Sequence, residues 1–272
     1  MIQMLYTGRS GLTGQQKNID VISNNVANVE TDGYKATRFD FQDALYARLR
    51  APHPASNGPE KNLQRGSGVL EYQTARLLRN GGLYDTGYGL DFALEGRGFF
   101  VVENPLDLED EDVEADQTVL MVRSGSFHLS AEEDGDFIVD QHSRYVLDAD
   151  GERIALPEGV TADMLSCDTF GMLTCFDPEG EVIEIAQLQI VDFVNPMGLS
   201  DVGNGAFMQT DNAGELLEAV TGKVVHRKLE GSNVDYAEEM TRLIRAQRAY
   251  QLASRVVTTA DQMMGVANSI RG

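Results

Sequence analysis

The sequence predicts an α+β fold: long amino- and carboxyl-terminal helices that form a coiled coil, with a central antiparallel β-rich domain. Two observations predict the helices, because large apolar residues recur every seven positions near both ends of the 272-residue chain. The amino-terminal set is Leu5, Leu12, Ile19 and Val26, and the carboxyl-terminal set is Leu243, Tyr250, Val257 and Met264. A third observation predicts the β domain, since strand-length apolar runs bounded by turn residues occupy much of the intervening sequence.

The amino-terminal helix is predicted from Gln3 to about Val29. Ile22 and Val29 each lie three residues beyond a heptad position, which gives the 3–4 spacing of a coiled-coil seam. Glycines at positions 8, 11 and 14 each weaken the helix by about 1 kcal/mol relative to alanine. Turn-forming residues at 30–33 predict the helix end, where Gly33 can take a left-handed conformation.

Three asparagines, Asn24, Asn25 and Asn28, cluster near the predicted end of this helix. A side-chain amide both donates and accepts hydrogen bonds, so these residues can satisfy backbone groups at the helix end or contact a neighbouring chain. The residues by themselves leave local capping and an intersubunit role equally open.

The region 36–70 is predicted to be an extended linker. It contains a short amphipathic segment, Phe39–Arg48, followed by Ala51–Gly68 with three prolines. A β-rich outer domain is expected at 71–230, where short strands and turn signals are typical of an antiparallel sandwich or barrel. Its strand-length runs are Phe99–Val102, Val119–Val122, Phe127–Leu129, Phe137–Val139, Tyr145–Leu147 and Leu188–Phe193.

The carboxyl-terminal helix is predicted from Asn233 to Ile270, with a Ser232-x-x-Asp235 capping box at its start. Its seam alternates large residues with alanine, which allows close approach of a neighbouring backbone. The seam consists of Leu243, Ala246, Tyr250, Ala253, Val257, Ala260, Met264 and Ala267. Further apolar residues widen this face beyond a two-stranded seam and indicate more than one helical neighbour: Ile244, Val256, Met263 and Ile270. Residues 1–35 and 231–272 are therefore expected to form one coiled-coil core domain.

Charge is distributed very unevenly along the chain. The net charge is −21, but residues 51–227 carry ten basic and thirty-three acidic side chains, so both ends are nearly neutral. Neutral helices can pack against copies of themselves without repulsion, whereas an acidic domain stays solvated. The acidic balance argues against nucleic acid as a partner. No run is long enough for membrane insertion, and the chain opens without a conventional secretory signal.

Two features of the acidic middle leave alternatives open. Residues 107–116 hold seven acids in ten positions, which suits a solvated loop better than a calcium site, because the glycine and terminal glutamate of an EF-hand loop are missing. Cys167 and Cys175 are the only cysteines, and they are either two isolated thiols or a bridge across a hairpin.

The sequence shows no recognisable catalytic or cofactor chemistry. The four histidines are scattered without metal-ligand spacing, and the Walker, Gly-x-Ser-x-Gly and His-Glu-x-x-His motifs are missing. Gly96-Arg97-Gly98 precedes a predicted strand, which differs from the strand–turn–helix setting of a nucleotide fingerprint. We therefore expect a non-enzymatic protein without metal, cofactor or catalytic residues, whose terminal helices serve assembly.

Motifs at both ends resemble those of bacterial flagellar rod and hook proteins. The amino-terminal match comprises Asn24, Asn25, Ala27, Asn28, Thr31, Gly33, Tyr34 and Lys35. The carboxyl-terminal match is strongest at Ser232-Asn233-Val234 and Gln247-Arg248-Ala249-Tyr250. The segments Leu94–Phe100 and Arg123–Phe127 are similar to central family elements, although Val122 replaces the usual threonine and 107–116 looks like an insertion. Within the family, Met1-Ile2-x-x-Leu5-Tyr6, Phe41–Tyr46 and Asp261–Met263 look most like distal rod members.

The resemblance implies a structural subunit of the flagellar basal body that polymerises into a helical tube and transmits motor torque to the hook. It implies terminal helices in the inner tube and a β domain outside it. The expected partners are copies of itself, other rod and hook proteins and the flagellar type III export apparatus. The alternatives are another flagellar axial protein, of proximal rod or hook type, or a secreted acidic binding module whose terminal helices pair only within one molecule.

Overall fold

The computed structural model describes residues 2–48, 64–103, 119–132, 135–157, 159–176, 182–217 and 222–271. The chain forms two compact units, each assembled from discontinuous segments. Unit 1 comprises Met1–Ala27, Thr37–Leu77 and Asp235–Gly272; unit 2 comprises Asn28–Ala36 and Leu78–Val234. The acidic run 107–116 and most of the proline-containing stretch, 51–63, lie outside the described residues.

Unit 1 contains two long helices, α1 (Ile2–Ala27) and α2 (Tyr236–Arg271). They confirm the two terminal helices that the heptad spacing predicts, and with the strands of unit 2 they confirm the α+β class. At 1.5 Å per residue the 36 residues of α2 extend for about 54 Å.

Unit 1 also contains an antiparallel ribbon of β1 (Thr37–Asp43) and β4 (Val69–Arg76). The register extends from Thr37 opposite Arg76 to Asp43 opposite Val69, with an irregularity between Asp40 and Phe41. Two shorter strands, β2 (Ala47–Arg48) and β3 (Gln64–Arg65), pair with each other. The amphipathic segment Phe39–Arg48 is therefore largely extended, and part of the predicted linker is a paired ribbon.

Unit 2 is built almost entirely from short antiparallel strands, as the turn spacing predicts. In chain order they are β5 (Leu83–Asp85), β6 (Phe92–Glu95), β7 (Phe99–Glu103), β8 (Val119–Val122), β9 (Phe127–Glu132), β10 (Gly135–Asp140), β11 (Tyr145–Val146), β12 (Ala155–Leu156), β13 (Leu165–Cys167), β14 (Met172–Phe176), β15 (Val182–Gln187), β16 (Ile190–Val191), β17 (Ser200–Gly203), β18 (Ala206–Met208), β19 (Lys223–His226) and β20 (Lys228–Glu230).

Among the described residues, the largest sheet of unit 2 has nine strands. Its main path is β12-β10-β11-β7-β8-β18-β17, while β9 pairs with β10 and β16 pairs with β7. The smaller sheets are β13-β14-β15, β19-β6 and β20-β5. Fully buried aromatic and aliphatic side chains from many of these strands form one core, among them Phe92, Phe100, Phe127, Ile138 and Leu173.

The predicted strands of unit 2 are largely confirmed, with two shortened: Tyr145–Leu147 forms a strand only over Tyr145–Val146. β8 has the predicted bounds, and β7, β9, β10 and β11 overlap their predicted runs. Of the run Leu188–Phe193, only Ile190–Val191 forms a strand, and Leu188 and Phe193 make isolated bridges. Cys167 and Cys175 lie on neighbouring strands as free thiols.

Candidate assembly sites

The two helices of unit 1 pack against each other in antiparallel orientation. At one end, a Cβ atom built on Gly8 would lie only 2.7 Å from Val257 Cγ2. At the other end, the Asn25 amide Nδ2 lies 3.5 Å from Glu239 Oε2. The helix axes therefore approach closely at Gly8, and a glycine predicted only to weaken α1 is also the residue that permits this contact.

The predicted seam of α2 forms the less exposed side of that helix. Ala246 and Ala260 are buried, Leu243, Ala253, Val257, Met264 and Ala267 are half-buried, and Tyr250 is exposed. On α1, Ile22 and Asn25 are buried, Leu5, Leu12, Ile19 and Val26 are half-buried, and Asn24 is exposed. Helix α1 ends at Ala27, two residues before the predicted end at Val29. Asn28 and Val29 therefore lie outside the helix, as half-buried residues of unit 2. Contacts within one chain therefore occupy much of the seam.

A second apolar surface on α2 is exposed in the single chain. We call it the α2 stripe; it consists of Ile244, Leu252, Val256, Met263, Val266 and Ile270, which are 41–81% exposed. Their spacings of three, four, seven and eight residues put them on one helix face. Four of the six are the residues that widen the seam in the sequence, whereas Leu252 and Val266 were missed.

Asn25 ties α1 to β1 within unit 1. It is 1% exposed. Its Nδ2 donates to the Thr37 carbonyl at 2.8 Å, and its Oδ1 accepts from the Thr37 amide at 2.9 Å. One side chain therefore satisfies both backbone groups of a strand residue, and an intersubunit role for the three asparagines stays a prediction.

The start of α2 corrects the predicted capping box. Asp235 Oδ1 accepts a hydrogen bond from the Glu238 backbone amide at 3.0 Å, which is the geometry of a helix N-cap. Ser232 Oγ instead accepts from the Val234 amide, before the helix begins. The cap is therefore Asp235 and not Ser232, because the residues between them are still non-helical.

Unit 2 contains a buried cluster of three charged side chains, which we call the ion cluster: Lys35, Arg123 and Glu230. Lys35 Nζ donates to Glu230 Oε1 at 2.7 Å, and Arg123 Nε donates to Glu230 Oε2 at 2.5 Å. The side chains are 2%, 4% and 1% exposed, respectively. One carboxylate thus pairs with two cations, so the cluster retains one net positive charge.

Backbone carbonyls solvate the excess positive charge of Arg123. Its guanidinium donates to the carbonyls of Leu94 and Gly96 at 2.7 Å and to that of Gly98 at 2.5 Å. Gly96 and Gly98 have φ values of 109° and 134°, which a side chain would strain. The Gly96-Arg97-Gly98 turn therefore curves its carbonyls around Arg123, which explains a glycine pattern that the sequence shows only as a turn.

Glu230 and Gly33 are joined by a second contact. The Gly33 amide donates to the Glu230 carbonyl at 2.6 Å, with Gly33 at φ 70° as predicted. A Cβ atom at Gly33 would lie 2.6 Å from the Ser124 nitrogen. Conformation and space both require glycine here.

Asn233 fastens three backbone segments near this cluster. Its Oδ1 accepts from the Ala36 amide at 2.7 Å, and its Nδ2 donates to the Arg79 carbonyl at 2.9 Å. Its backbone amide donates to the Tyr34 carbonyl at 3.3 Å. Lys35 Nζ shares the Arg79 carbonyl at 3.2 Å. The segments 34–36, 79–81 and 230–233 are therefore held together within unit 2.

Burial is the main electrostatic influence on Lys35. It lowers the pKa of the ammonium group, the nearby Arg123 charge lowers it further, and the Glu230 carboxylate opposes both effects. The Glu230 carboxylate thus stabilises the charged form of the buried Lys35 ammonium group. The sequence did not identify Lys35, Arg123 or Glu230 as a site, although Lys35 and Arg123 lie in segments that resemble family motifs and Glu230 lies two residues before another. The sequence signal that could have revealed this cluster is that each of the three charged residues lies among glycines or apolar residues.

Within the described ranges, no three His, Cys, Asp or Glu side chains are grouped so that they could hold a metal ion. Likewise, none of the described helices combines the length and apolar character of a membrane span.

Comparison with known proteins gives matches at both ends and along the full length. Residues 5–35 match the family model described as flagella basal body rod protein, and residues 227–270 match that of the flagellar basal body rod FlgEFG protein C-terminal region. The flagellar basal-body rod protein FlgG of Borreliella burgdorferi is 33% identical, with 100% of this chain and 99% of the relative covered. The proteins of the same name from Agrobacterium fabrum and Bacillus subtilis are 32% and 30% identical, with 98% and 97% of both chains covered.

Proposed function

The chain belongs to the flagellar basal-body rod protein family, and we propose that it polymerises into the helical tube of the distal rod. It is a structural subunit of the basal-body rod, located in the bacterial flagellum. The distal position is supported by full-length similarity to rod proteins named FlgG and by the motif Phe41–Tyr46.

The observation that carries the polymer proposal is the α2 stripe. Its six large apolar side chains are exposed on a helix whose other side already packs against α1. Large apolar side chains exposed along one helix face mark an interaction site. Copies of the helix pair that bury the stripe through heterologous contacts would extend without closing, which produces a tube. In this arrangement α1 and α2 form a coiled-coil inner layer, and the predicted seam residues stabilise it from within.

The charge distribution supports different structural roles for the two ends and the middle of the chain. We assign residues 1–35 and 231–272 to the inner tube, 36–70 to a connecting region and 71–230 to an outer domain. Near-neutral terminal segments can pack around a central channel, whereas the acidic middle remains solvated. Helices that are packed along the tube give the torsional stiffness that torque transmission to the hook needs.

Family membership also supports the other proposed partners. Rod and hook proteins adjoin the subunit at the two ends of its polymer, and the flagellar type III apparatus exports it. Helix α1, with three glycines that weaken it in isolation, suits a segment that folds fully only on assembly.

The test places a carboxylate on the α2 stripe. Leu252 is 61% exposed, so Leu252→Glu leaves the free subunit folded but buries a charge in the assembled tube. In a host strain lacking the native gene, we expect no rods in isolated basal bodies and no swimming. Thr258→Glu, which adds the same charge at an exposed position off the stripe and outside the family motifs, should assemble. Normal rods from Leu252→Glu, with a circular dichroism spectrum like that of the native protein, would contradict the proposal.

A further inference from the structure

Two Asn-Gly dipeptides lie within the described residues, Asn80-Gly81 and Asn204-Gly205. This dipeptide is chemically labile, because the backbone nitrogen of the glycine can attack the side-chain amide carbon of the asparagine without hindrance from a side chain of its own. Both asparagines are exposed, so exposure does not distinguish them. The contacts of the two glycines do.

The Gly81 nitrogen is held inside unit 2. It donates to Glu230 Oε1 at 2.8 Å, and that carboxylate is the buried anion of the ion cluster. A Cβ atom built on Gly81 would lie 1.9 Å from the Gly231 carbonyl oxygen, so Gly81 packs directly against Gly231. Attack by this nitrogen therefore requires loss of its bond to the carboxylate and separation of two packed backbone segments.

Asn204 and Gly205 form the two-residue turn between β17 and β18, which the Gly203–Ala206 pair closes. Their φ values are 52° and 69°, and positive φ at both positions is the mark of a type I′ turn. The residues from Asp201 to Gly205 are all exposed, and β17 is the last strand on the main path of its sheet. The turn therefore lies at an exposed edge, where local opening costs least.

Few contacts hold this turn closed. Among the described residues, neither the Asn204 side chain nor the Gly205 N–H has a hydrogen-bond partner. Arg144 Nη2 donates to the Asn204 carbonyl, but over 3.4 Å. Cβ atoms built on Gly203 and Gly205 would meet no atom within 4 Å. Packing therefore does not oppose the rotation about the Asn204 Cα–C bond that brings the Gly205 nitrogen to the side-chain carbon.

We propose that Asn204 is a site of spontaneous deamidation and that the fold protects Asn80 from the same reaction. The Gly205 nitrogen gives up its proton to solvent and bonds to Asn204 Cγ, the Cγ–Nδ2 bond breaks, and the leaving nitrogen takes up a proton and departs as ammonia. Water then opens the cyclic succinimide. Addition at Cγ gives aspartate, whereas addition at the backbone carbonyl carbon gives isoaspartate. The sequence consumes one water and releases one ammonia.

The isoaspartate product should loosen β17. It inserts an extra carbon into the backbone of a two-residue turn, so the Gly203–Ala206 pair cannot keep its register. Among the described strands β17 pairs only with β18, whereas β18 also pairs with β8. Faster hydrogen exchange is therefore expected at Ser200–Gly203, with little change at Ala206–Met208.

Peptide mass spectrometry of the full-length protein, aged at neutral and mildly alkaline pH, tests the proposal. Asn204 should convert at least about 10-fold faster than Asn80, because the Gly81 nitrogen must first leave a buried carboxylate. Conversion should accelerate with pH, and in heavy-oxygen water the product should carry one labelled oxygen. Asn204→Gln is the control; it keeps a side-chain amide but needs a larger, less favoured ring, so its peptide should stay unchanged.

The same measurement in urea-unfolded protein separates the fold from the local sequence. Asn80 and Asn204 should then convert at similar rates, because neither glycine nitrogen retains its native surroundings. A difference that persists in urea would assign the selectivity to flanking residues and overturn the inference. Equal rates in the folded protein, or an unmodified Asn204 after ageing, would overturn it as well.

Discussion

Lys35 and Glu230 lie 195 positions apart in the chain and form a buried ion pair of 2.7 Å. Arg123, from the middle of the sequence, completes the cluster on the other carboxylate oxygen. Three segments that carry family motifs therefore meet at one carboxylate within unit 2. The motifs at the two ends of the chain thus serve the closure of the β-rich unit as well as the terminal helices.

Loss of the Glu230 charge should be the most damaging change in this cluster. Glu230→Gln leaves two buried cations together without a counter-charge, so we expect a loss of about 3–5 kcal/mol in the free energy of unfolding of unit 2. Urea denaturation with hydrogen-exchange mass spectrometry of peptides from β5 and β20 measures this loss.

Lys35→Met is the matched comparison for Glu230→Gln. It leaves a neutral Arg123–Glu230 pair, and the Arg79 carbonyl keeps its hydrogen bond from Asn233. The cost should therefore stay near 1 kcal/mol, the usual net value of a single hydrogen bond. Equal losses from Lys35→Met and Glu230→Gln would show that the excess charge is not what makes the cluster sensitive.

The glycines of α1 should respond oppositely to alanine. Gly11 has no atom within 4 Å of a built Cβ, so Gly11→Ala should stabilise unit 1 by about 1 kcal/mol through helix propensity. Gly8→Ala gains the same propensity but forces a methyl group to 2.7 Å from Val257, so it should lower stability. Thermal unfolding followed at 222 nm compares the two variants. If both stabilise the protein equally, the close helix contact at Gly8 is absent in solution.

Substitution of Asn25 should lower the stability of unit 1 much more than the same substitution of its neighbour Asn24, because Asn25 is buried and Asn24 is exposed. Asn25→Asp removes the donor to the Thr37 carbonyl and sets a carboxylate beside Glu239, so unit 1 should lose about 2–3 kcal/mol. Asn24→Asp makes the same chemical change at an exposed position and should cost less than about 0.5 kcal/mol. Urea midpoints of the two variants provide the comparison, and similar midpoints would rule out the tie between α1 and β1.

Cys167 should resist alkylation in the folded protein. Burial raises the pKa of its thiol to about 12, with a smaller contribution from the Asp168 carboxylate. Because the thiolate is the reacting form, iodoacetamide at pH 9 should modify folded Cys167 at least ~100-fold more slowly than the same residue in urea-unfolded protein. Peptide mass spectrometry at increasing pH measures the rate. Comparable rates in the two states would show that the thiol is open to solvent.

The same raised pKa predicts how stability depends on pH. The folded state holds the Cys167 proton more tightly than the unfolded state, so this contribution is fully present below about pH 9. It is lost as the pH rises towards about 12. Cys167→Ala should therefore reduce the decline in the urea midpoint of unit 2 between pH 9 and 11. An unchanged decline would assign the alkaline instability to other groups.

Local pattern sufficed for most of the secondary structure. Heptad spacing predicted α1 and α2, and apolar runs predicted β7 to β11, because those signals depend on neighbours within a few residues. Pairing between distant segments is not contained in local pattern: β1 is a strand because β4, some thirty residues later, pairs with it. The predicted cap at Ser232 is wrong, because the helical conformation begins only after Asp235.

The amino-acid sequence by itself determined the α+β class, the two long helices, the acidic middle and the resemblance to flagellar rod and hook proteins. Periodicity, composition and linear motifs contain that information directly. Only the tertiary structure decided which apolar residues of α2 pack against α1 and which remain in the exposed stripe. It alone brought Lys35, Arg123 and Glu230 together. The physical reason is that burial and electrostatic pairing depend on contacts between residues far apart in the chain, which no local spacing specifies.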